Sequence, residues 1–550
     1  MSLRAALLLI AGCGTLMLLF LQQRRALHLL QLEHYENARL FVWLRRRGEF
    51  VALPWAPLRA LTAATAIVLA LAHASELAVL GAVIAVLADT ATEAIPHLRR
   101  SEIKPLVYTN RAKLILRVAI ATGAAVLIVG LAISFAGGCG AACACLGLML
   151  ALTISPAPLI AAANNSVKPW QRRVNQRFVQ SARATLTAVD PRVIGITGSY
   201  GKTTTKVCVG AVLERDQPTL VTPASFNSFL GIVRTINEHL RPEHRNFVVE
   251  MGMYRAGDIR ELCELTQPSI GVITAIGPAH LERMGSLDAI QEAKGELAHA
   301  LPPDGNLVVN GDDPRCLAIA AEVGVSTTLY GLRNPDAHVR AQNIRIADAH
   351  TSFELVIGDE RAAVSAQLLG EHNVGNLLAA AAVGHFAGMS IEQIRLGLER
   401  VEPPEHRLQP LPNSGSGVIV IDDAYNSNPA GAAAALKVLG EHPAKRRILV
   451  TPGMVELGDV EDAENEQFGT LAAGVCDHVI LVGPKHTAPI RRGLEGAGFN
   501  PQAIEVVRDI PGATAVLARL TRAGDVILFE NDLPDMYAED FAAADQPVRS

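Results

Sequence analysis

In the stretch Gly195-Ile-Thr-Gly-Ser-Tyr-Gly-Lys-Thr-Thr-Thr-Lys206, Gly198 and Gly201 stand just ahead of Lys202 and Thr203. Glycines let a backbone turn tightly and aim consecutive N–H groups at one point. A helix starting at Thr203 adds its unpaired donors and the positive end of its dipole. A polyphosphate suits such a cradle. Lys202 would neutralise the β and γ phosphates, and the Thr203 hydroxyl would ligate a bridging Mg²⁺. The longer phosphate-loop pattern needs a glycine where this chain has Ile196, so the match is to the shorter form Gly198-x-x-Gly201-Lys202-Thr203. A glycine-rich turn with a solvated lysine has the same letters.

Val193, Ile194 and Ile196, following Pro191, predict a buried strand that delivers the chain into the loop. Phe247–Met251, Ile270–Ile276, Leu307–Val309 and Val418–Ile421 read the same way, with helical patterns between several of them. This alternation predicts an α/β fold with a doubly wound, mostly parallel sheet, in which ligands gather at the carboxyl ends of strands. Three polar residues fall at or just past such ends. Glu250 closes the run Asn246–Glu250, His280 follows Gly277-Pro-Ala, and Lys294 lies in a predicted helix, Ala289–Glu296. Taken singly, they read more readily as an ion-paired strand-end glutamate, a helix-capping histidine and a surface lysine.

The elements that position these residues occupy only part of the chain. A net charge of −5 over 550 residues excludes nucleic acid as a bulk electrostatic partner. Half the residues are hydrophobic, few are aromatic, and the apolar excess lies before residue 165. Residues 3–21, 55–72, 77–95, 114–135 and 139–163 are therefore expected to be five membrane spans. The first could be a signal peptide, but it lacks a small-residue cleavage site and further spans follow. Arginines and lysines collect after spans one, three and five, and only Arg4 lies on the other side. The chain then reads as a multi-pass inner-membrane protein with its N-terminus outside and everything after residue 165 in the cytoplasm, where ATP is. Asp89 and Glu93 read as interfacial rather than as transport groups. The amphipathic, basic stretch 170–185 is expected to lie on the membrane surface. Cys208, Cys263, Cys316 and Cys476 have neither paired nor metal spacing, which suits a reduced compartment.

Read together, the motifs form a series. The loop, Glu250-Met-Gly252, Ala279-His-Leu-Glu-Arg-Met-Gly-Ser286, Ala293-Lys-Gly-Glu296, Gly370-Glu-His-Asn-Val-Gly-Asn-Leu-Leu-Ala-Ala380 and Asp422-Asp-Ala-Tyr-Asn-Ser-Asn-Pro429 occur in the order seen in the Mur ligases. From Val193 onward the chain resembles that family of ATP-dependent, amide-forming enzymes of cell-wall precursor synthesis, above all the branch that adds D-alanyl-D-alanine. The resemblance implies a central ATP-binding domain over 166–402 and a smaller Rossmann-like C-terminal domain over 403–550, after the membrane region 1–165. It implies ATP and two Mg²⁺ ions held by the loop residues Gly198, Ser199, Gly201, Lys202, Thr203 and Thr204 together with Glu250 and His280, with Lys294 carrying a carbamate. Lys202, Glu250, His280 and Lys294 would be the catalytic set. Asn373 would contact adenine, and Arg407 and Asp423 would reach the nucleotide from a hinge near 401–412 and from the C-terminal domain. Asn227, Tyr425 and Asn426 would face substrate.

Two features depart from the family pattern. The domain that holds the UDP end of the acceptor is replaced by the apolar region, so a carboxylate acceptor that is membrane-bound, such as a lipid-linked precursor, is expected. Near the end, Glu530 stands where the family has a lysine, with Asp532 and Asp535 behind it, which suits a cationic amine; a solvated acidic loop is the plainer alternative. A polyglutamate-forming or folylpolyglutamate-type ligase is the nearest competitor. From another class, an ATP-driven transporter or sensor is disfavoured by the scarcity of charge inside the spans.

Overall fold

Runs without proline give the first part of the molecule its helices, Leu3–Leu32, Asn37–Arg46, Val79–Ala88, Asn110–Ala136 and Cys139–Ile154. The computed structural model describes residues 3–33, 35–46, 76, 79–88, 106–154, 156–279, 281–347, 350–411, 417–425, 427–455 and 457–532. The chain divides into two compact units, Met1–Gln176 and Arg177–Ser550.

In the first unit, Leu3–Leu32 packs on Asn110–Ala136 at Gly123, where a Cβ would collide with Leu19. Asn164, fully buried, donates to Tyr35 O and Asn37 Oδ1 and accepts from Arg111. Among the described residues one helix, Asn110–Ala136, is long and apolar enough to cross a membrane. The expected span 3–21 is part of a longer helix that runs on past Arg24 and Arg25 to Leu32. The expected span 139–163 is not one helix: Cys139–Ile154 stops before Pro156, and a new helix, Ala157–Val189, begins after it. Pro156 lacks the N–H that a continuing helix would use, which accounts for the break. The second helix takes in the amphipathic stretch 170–185. The span 55–72 lies outside the described residues, as do all of 77–95 except Val79–Ala88, Asp89 and Glu93 among them.

In the second unit, β1 (Arg192–Thr197), β2 (Thr219–Val221), β3 (Asn246–Glu250), β4 (Ile270–Ile273), β5 (Asn306–Asn310), β6 (Ser326–Gly331), β7 (Val339–Ala347), β8 (His350–Ile357) and β9 (Glu360–Ala366) build one sheet. Its order is β2-β3-β1-β4-β5-β6-β7-β8-β9, parallel as far as β7 and antiparallel beyond. Side chains alternate across it. Ile194 and Ile196 join the core that holds Val209 and Leu377, while Val193 joins the one that holds Phe247 and Leu297. Burial on both faces, worth about 1.5–3 kcal/mol per large aliphatic side chain, is what a doubly wound sheet requires.

Gly195, in mid-strand, has a specific role in this packing. A Cβ there would stand 2.9 Å from Leu297 and from Met251, so only glycine lets the helix Leu287–His299 lie this close to β1. That helix carries Lys294.

A second sheet follows, built from β10 (Gln409–Leu411), β11 (Ile419–Asp423), β12 (Arg446–Thr451), β13 (His478–Val482), β14 (Ile504–Val507) and β15 (Asp525–Glu530). Its order, β10-β11-β15-β12-β13-β14, is parallel except at the β10 edge. The strands β11, β15 and β12 are adjacent, so Asp423, Glu530 and Thr451 finish side by side at one rim.

Candidate functional site

The loop leaves β1 and enters the helix Lys202–Leu213 through Gly198 at φ 152° and Gly201 at φ 78°. Both values favour glycine, and space enforces the choice: a Cβ on Gly198 would collide with Thr274 Oγ1, and one on Gly201 would stand 2.5 Å from Asn376 Oδ1. Ser199 ties the loop to β4's exit, donating to Gly277 O and accepting from Gly277 N, each at 2.9 Å. Lys202 Nζ folds back onto Gly198 O at 2.8 Å. Thr204 lies buried in the first turn of the helix.

Glu250, at the carboxyl end of β3, meets this loop. Its Oε2 accepts from Thr203 Oγ1 at 3.0 Å and pairs with Lys206 Nζ at 3.1 Å, while Oε1 accepts from Asn227 Nδ2 at 3.1 Å. Burial opposes ionisation, but Lys206, Lys202 and the Asn227 amide outweigh it and hold the carboxyl below its usual range. Glu250 is thus ion-paired at its strand end and lies beside Thr203. Burial lowers Lys202, with Glu250 opposing and Arg407 adding to the effect. Lys294 is 2% exposed rather than a surface lysine; burial carries its pKa well below the usual value and the Lys202 charge carries it further. So several cations converge on one carboxylate, an excess of positive charge that a polyphosphate would balance.

The segment before β10 brings in the C-terminal half. His406 and Leu408 both have positive φ, 59° and 46°, and between them Arg407 reaches Thr203 Oγ1 at 3.2 Å and lies 4.4 Å over the Tyr425 ring. Asp423 Oδ1 accepts from Leu408 N at 3.1 Å. Burial and then the charge of Glu530 push Asp423 up to about 8. Glu530 is buried, accepts from the hydroxyls of Ser427 and Thr451, and is pushed up by burial to about 7. A solvated acidic loop therefore describes Asp532, which is exposed, and not Glu530.

Asn373 is buried in the first turn of the helix Glu371–Phe386, donating to Leu369 O and accepting from Asn376, whose own Oδ1 takes the Thr205 hydroxyl. Beside that turn lies a cavity of about 230 Å³ lined by Gly370, His372, Arg333 and Lys437. Burial pushes His372 down to about 4, so its ring is neutral. His280, Asn426 and Asp535 lie outside the described residues.

Sequence reasoning missed Lys206, the buried partner of Glu250, and the Thr205–Asn376 link between helices. Lys206 stands four residues after Lys202, one turn along the same helix, but nothing local in the sequence marks Glu250 as its partner. Oxygen donors from Thr203 and Glu250, side by side, are the hard ligands Mg²⁺ takes. Among the described residues no three His, Cys, Asp or Glu side chains gather into a metal cluster.

Residues 196–384 match the Mur ligase middle domain, and residues 406–530 match the Mur ligase glutamate ligase domain. The UDP-N-acetylmuramoyl-tripeptide--D-alanyl-D-alanine ligase of Mycobacterium tuberculosis is 35% identical over 375 residues, covering 64% of this chain and 72% of that protein. The chain belongs to the Mur ligase family. It is, accordingly, an ATP-dependent acid–amino-acid ligase by family. The enzyme of the same name from Escherichia coli is 33% identical over 322 residues, 58% of this Mur ligase and 71% of its relative. Among solved structures, MurF from Acinetobacter baumannii superposes with a TM-score of 0.58 at 28% identity, covering 66% of this chain and 79% of that one. In every case the likeness leaves out a large part of this Mur ligase, and the matched domains begin at residue 196, after the helical first unit.

Proposed function

We propose that this chain activates a carboxylate with ATP as an acyl phosphate and passes the acyl group to an amine, the acceptor being a peptide-bearing cell-wall precursor like those named for its relatives. An oxygen of the acceptor carboxylate attacks the γ-phosphorus and ADP leaves. The amine nitrogen then attacks the carbonyl carbon, and phosphate departs as the amide forms. The observation that carries this reading is the meeting of Thr203, Glu250 and Arg407, from the loop, β3 and the start of the C-terminal half.

In this reading Lys202 and the loop amides hold the β and γ phosphates, and Arg407 adds positive charge from the other side as negative charge builds on the transferring group. Thr203 and Glu250 would hold one Mg²⁺, and His280 with a carbamylated Lys294 a second. When bound, the ions would neutralise phosphate oxygens and orient them. Lys294 suits carbamylation because a buried lysine held uncharged has a free electron pair to add to carbon dioxide. Asn373 and the neighbouring cavity would take the base, and Asn227, Tyr425 and Asn426 would face substrate. Phosphate release by the purified chain should require ATP, acceptor and amine together, and Lys202→Ala and Glu250→Gln should each abolish it. Release that needs neither acceptor nor amine would make this an ATPase and end the proposal.

The first unit supports membrane attachment as part of the same reading. Along Asn110–Ala136 the apolar residues Ile128, Val129, Ile133 and Phe135 are 47–65% exposed, an arrangement that lipid would cover. A lipid-linked acceptor would then meet the enzyme at the bilayer. Fractionation tests both points: the chain should stay with membranes through alkaline carbonate washing, and extraction into the wash would reject the anchor. Equal turnover of soluble and lipid-linked acceptors would reject the lipid preference.

A further inference from the structure

The rim where β11, β15 and β12 end holds Asp423, Glu530, Asn531 and Thr451, and it is short of donors. Asp423 and Glu530 are direct partners in the parallel ladder, so their side chains leave the same face of the sheet. Asp423 receives one backbone N–H and Glu530 two hydroxyls. Asn531 donates its amide to Gly453 O at 2.6 Å, yet its Oδ1, in a residue 5% exposed, has no donor among the described residues. A buried acceptor left unpaired costs about 1–3 kcal/mol, so its persistence at the rim where both carboxylates end marks a place for an incoming donor. Arg407, a cation acting on Asp423, already donates to Thr203 Oγ1 and lies over the Tyr425 ring.

We propose that this rim takes a cationic group of the amine substrate, so that the nucleophile is a diamine or basic amino compound with one reacting nitrogen and a second that stays protonated on Glu530, Asp423 and Asn531. The inference rests on the ligase reading above. A reacting amine must lose its proton before attack, and two close carboxylates would hold that proton on. The group they serve is a cation that stays charged. The elevated pKa values of the two carboxyls fit a pair awaiting such a partner.

The test uses the full chain in detergent with ATP and acceptor, comparing 1,4-diaminobutane, lysine, 1-aminobutane and D-alanyl-D-alanine by phosphate release. Wild type should favour the two dibasic compounds, and Glu530→Gln should raise their KM at least tenfold while leaving the KM for ATP unchanged. As a measurement independent of turnover, 1,4-diaminobutane should raise the wild-type unfolding temperature and 1-aminobutane should not. Preference for D-alanyl-D-alanine, with Glu530→Gln affecting all amines alike, would overturn the inference and leave the ligase standing. Stabilisation by Mg²⁺ alone that diamine cannot add to would make the rim a metal site and also overturn it. Silence with every amine, in protein that still binds ATP, would remove the ligase reading and this inference with it.

Discussion

Lys206→Met would expose how far the site depends on a charge that touches no substrate in the proposed mechanism. Lys206 and Glu250 are each 2% exposed and 3.1 Å apart. Removing the cation leaves Glu250 with the Thr203 hydroxyl, the Asn227 amide and the Lys202 charge, but without its ion-pair partner. Breaking one partner from a buried pair costs about 3–5 kcal/mol. At about 2–4 °C per kcal/mol for a domain of this size, unfolding should move down by roughly 6–20 °C. Calorimetry of the full chain, scanned with and without ATP, reads this directly. Lys206→Met combined with Glu250→Leu should regain most of the loss, because an apolar pair of similar volume removes the orphaned charge. The double variant should still release no phosphate, since Glu250 is gone from beside Thr203. If Lys206→Met alone moved the transition by less than about 2 °C, the buried pair would not be structural, and the account of how β3 is locked to the loop helix would fail.

Other outcomes can be read from the same geometry. Asp423 and Glu530 have pKa values raised to about 8 and about 7, so the folded state binds more protons than the unfolded one above the ordinary carboxyl range. Stability should therefore fall as pH rises from about 4 to about 8, and Asp423→Asn with Glu530→Gln should flatten that slope in thermal unfolding. Arg407→Ala removes the contact with Thr203 and should raise the KM for ATP by about tenfold to a hundredfold, the equivalent of about 1.4–2.7 kcal/mol, with little change in unfolding temperature. If Lys294 works as a carbamate, stripping carbon dioxide from the buffer should slow phosphate release and bicarbonate should restore it. Lys294→Ala should be slow and indifferent to both.

The parts of the fold and site that were legible in the sequence are those governed by local chemistry. Gly198 and Gly201 could be read because positive φ and crowding against Thr274 and Asn376 leave no other residue, and β1 could be read because Val193 and Ile194 face opposite cores. Residues set by contacts across the fold were less accessible. No local pattern shows that Lys206 would spend its charge on Glu250, or that Gly195 is needed so that Leu297 can press against β1. The acidic end of the chain is the sharpest case. As letters, Glu530 and Asp532 look alike, but β15 ends between β11 and β12, so its last side chain is enclosed by Ser427 and Thr451 while the second residue beyond is exposed. Sheet order, which is a property of the whole domain, thus decides which of two neighbouring carboxylates is enclosed and which is solvated. The same reasoning locates specificity: exchanging Glu530 should change which amine is chosen, whereas exchanging Asp532 should change little more than surface charge.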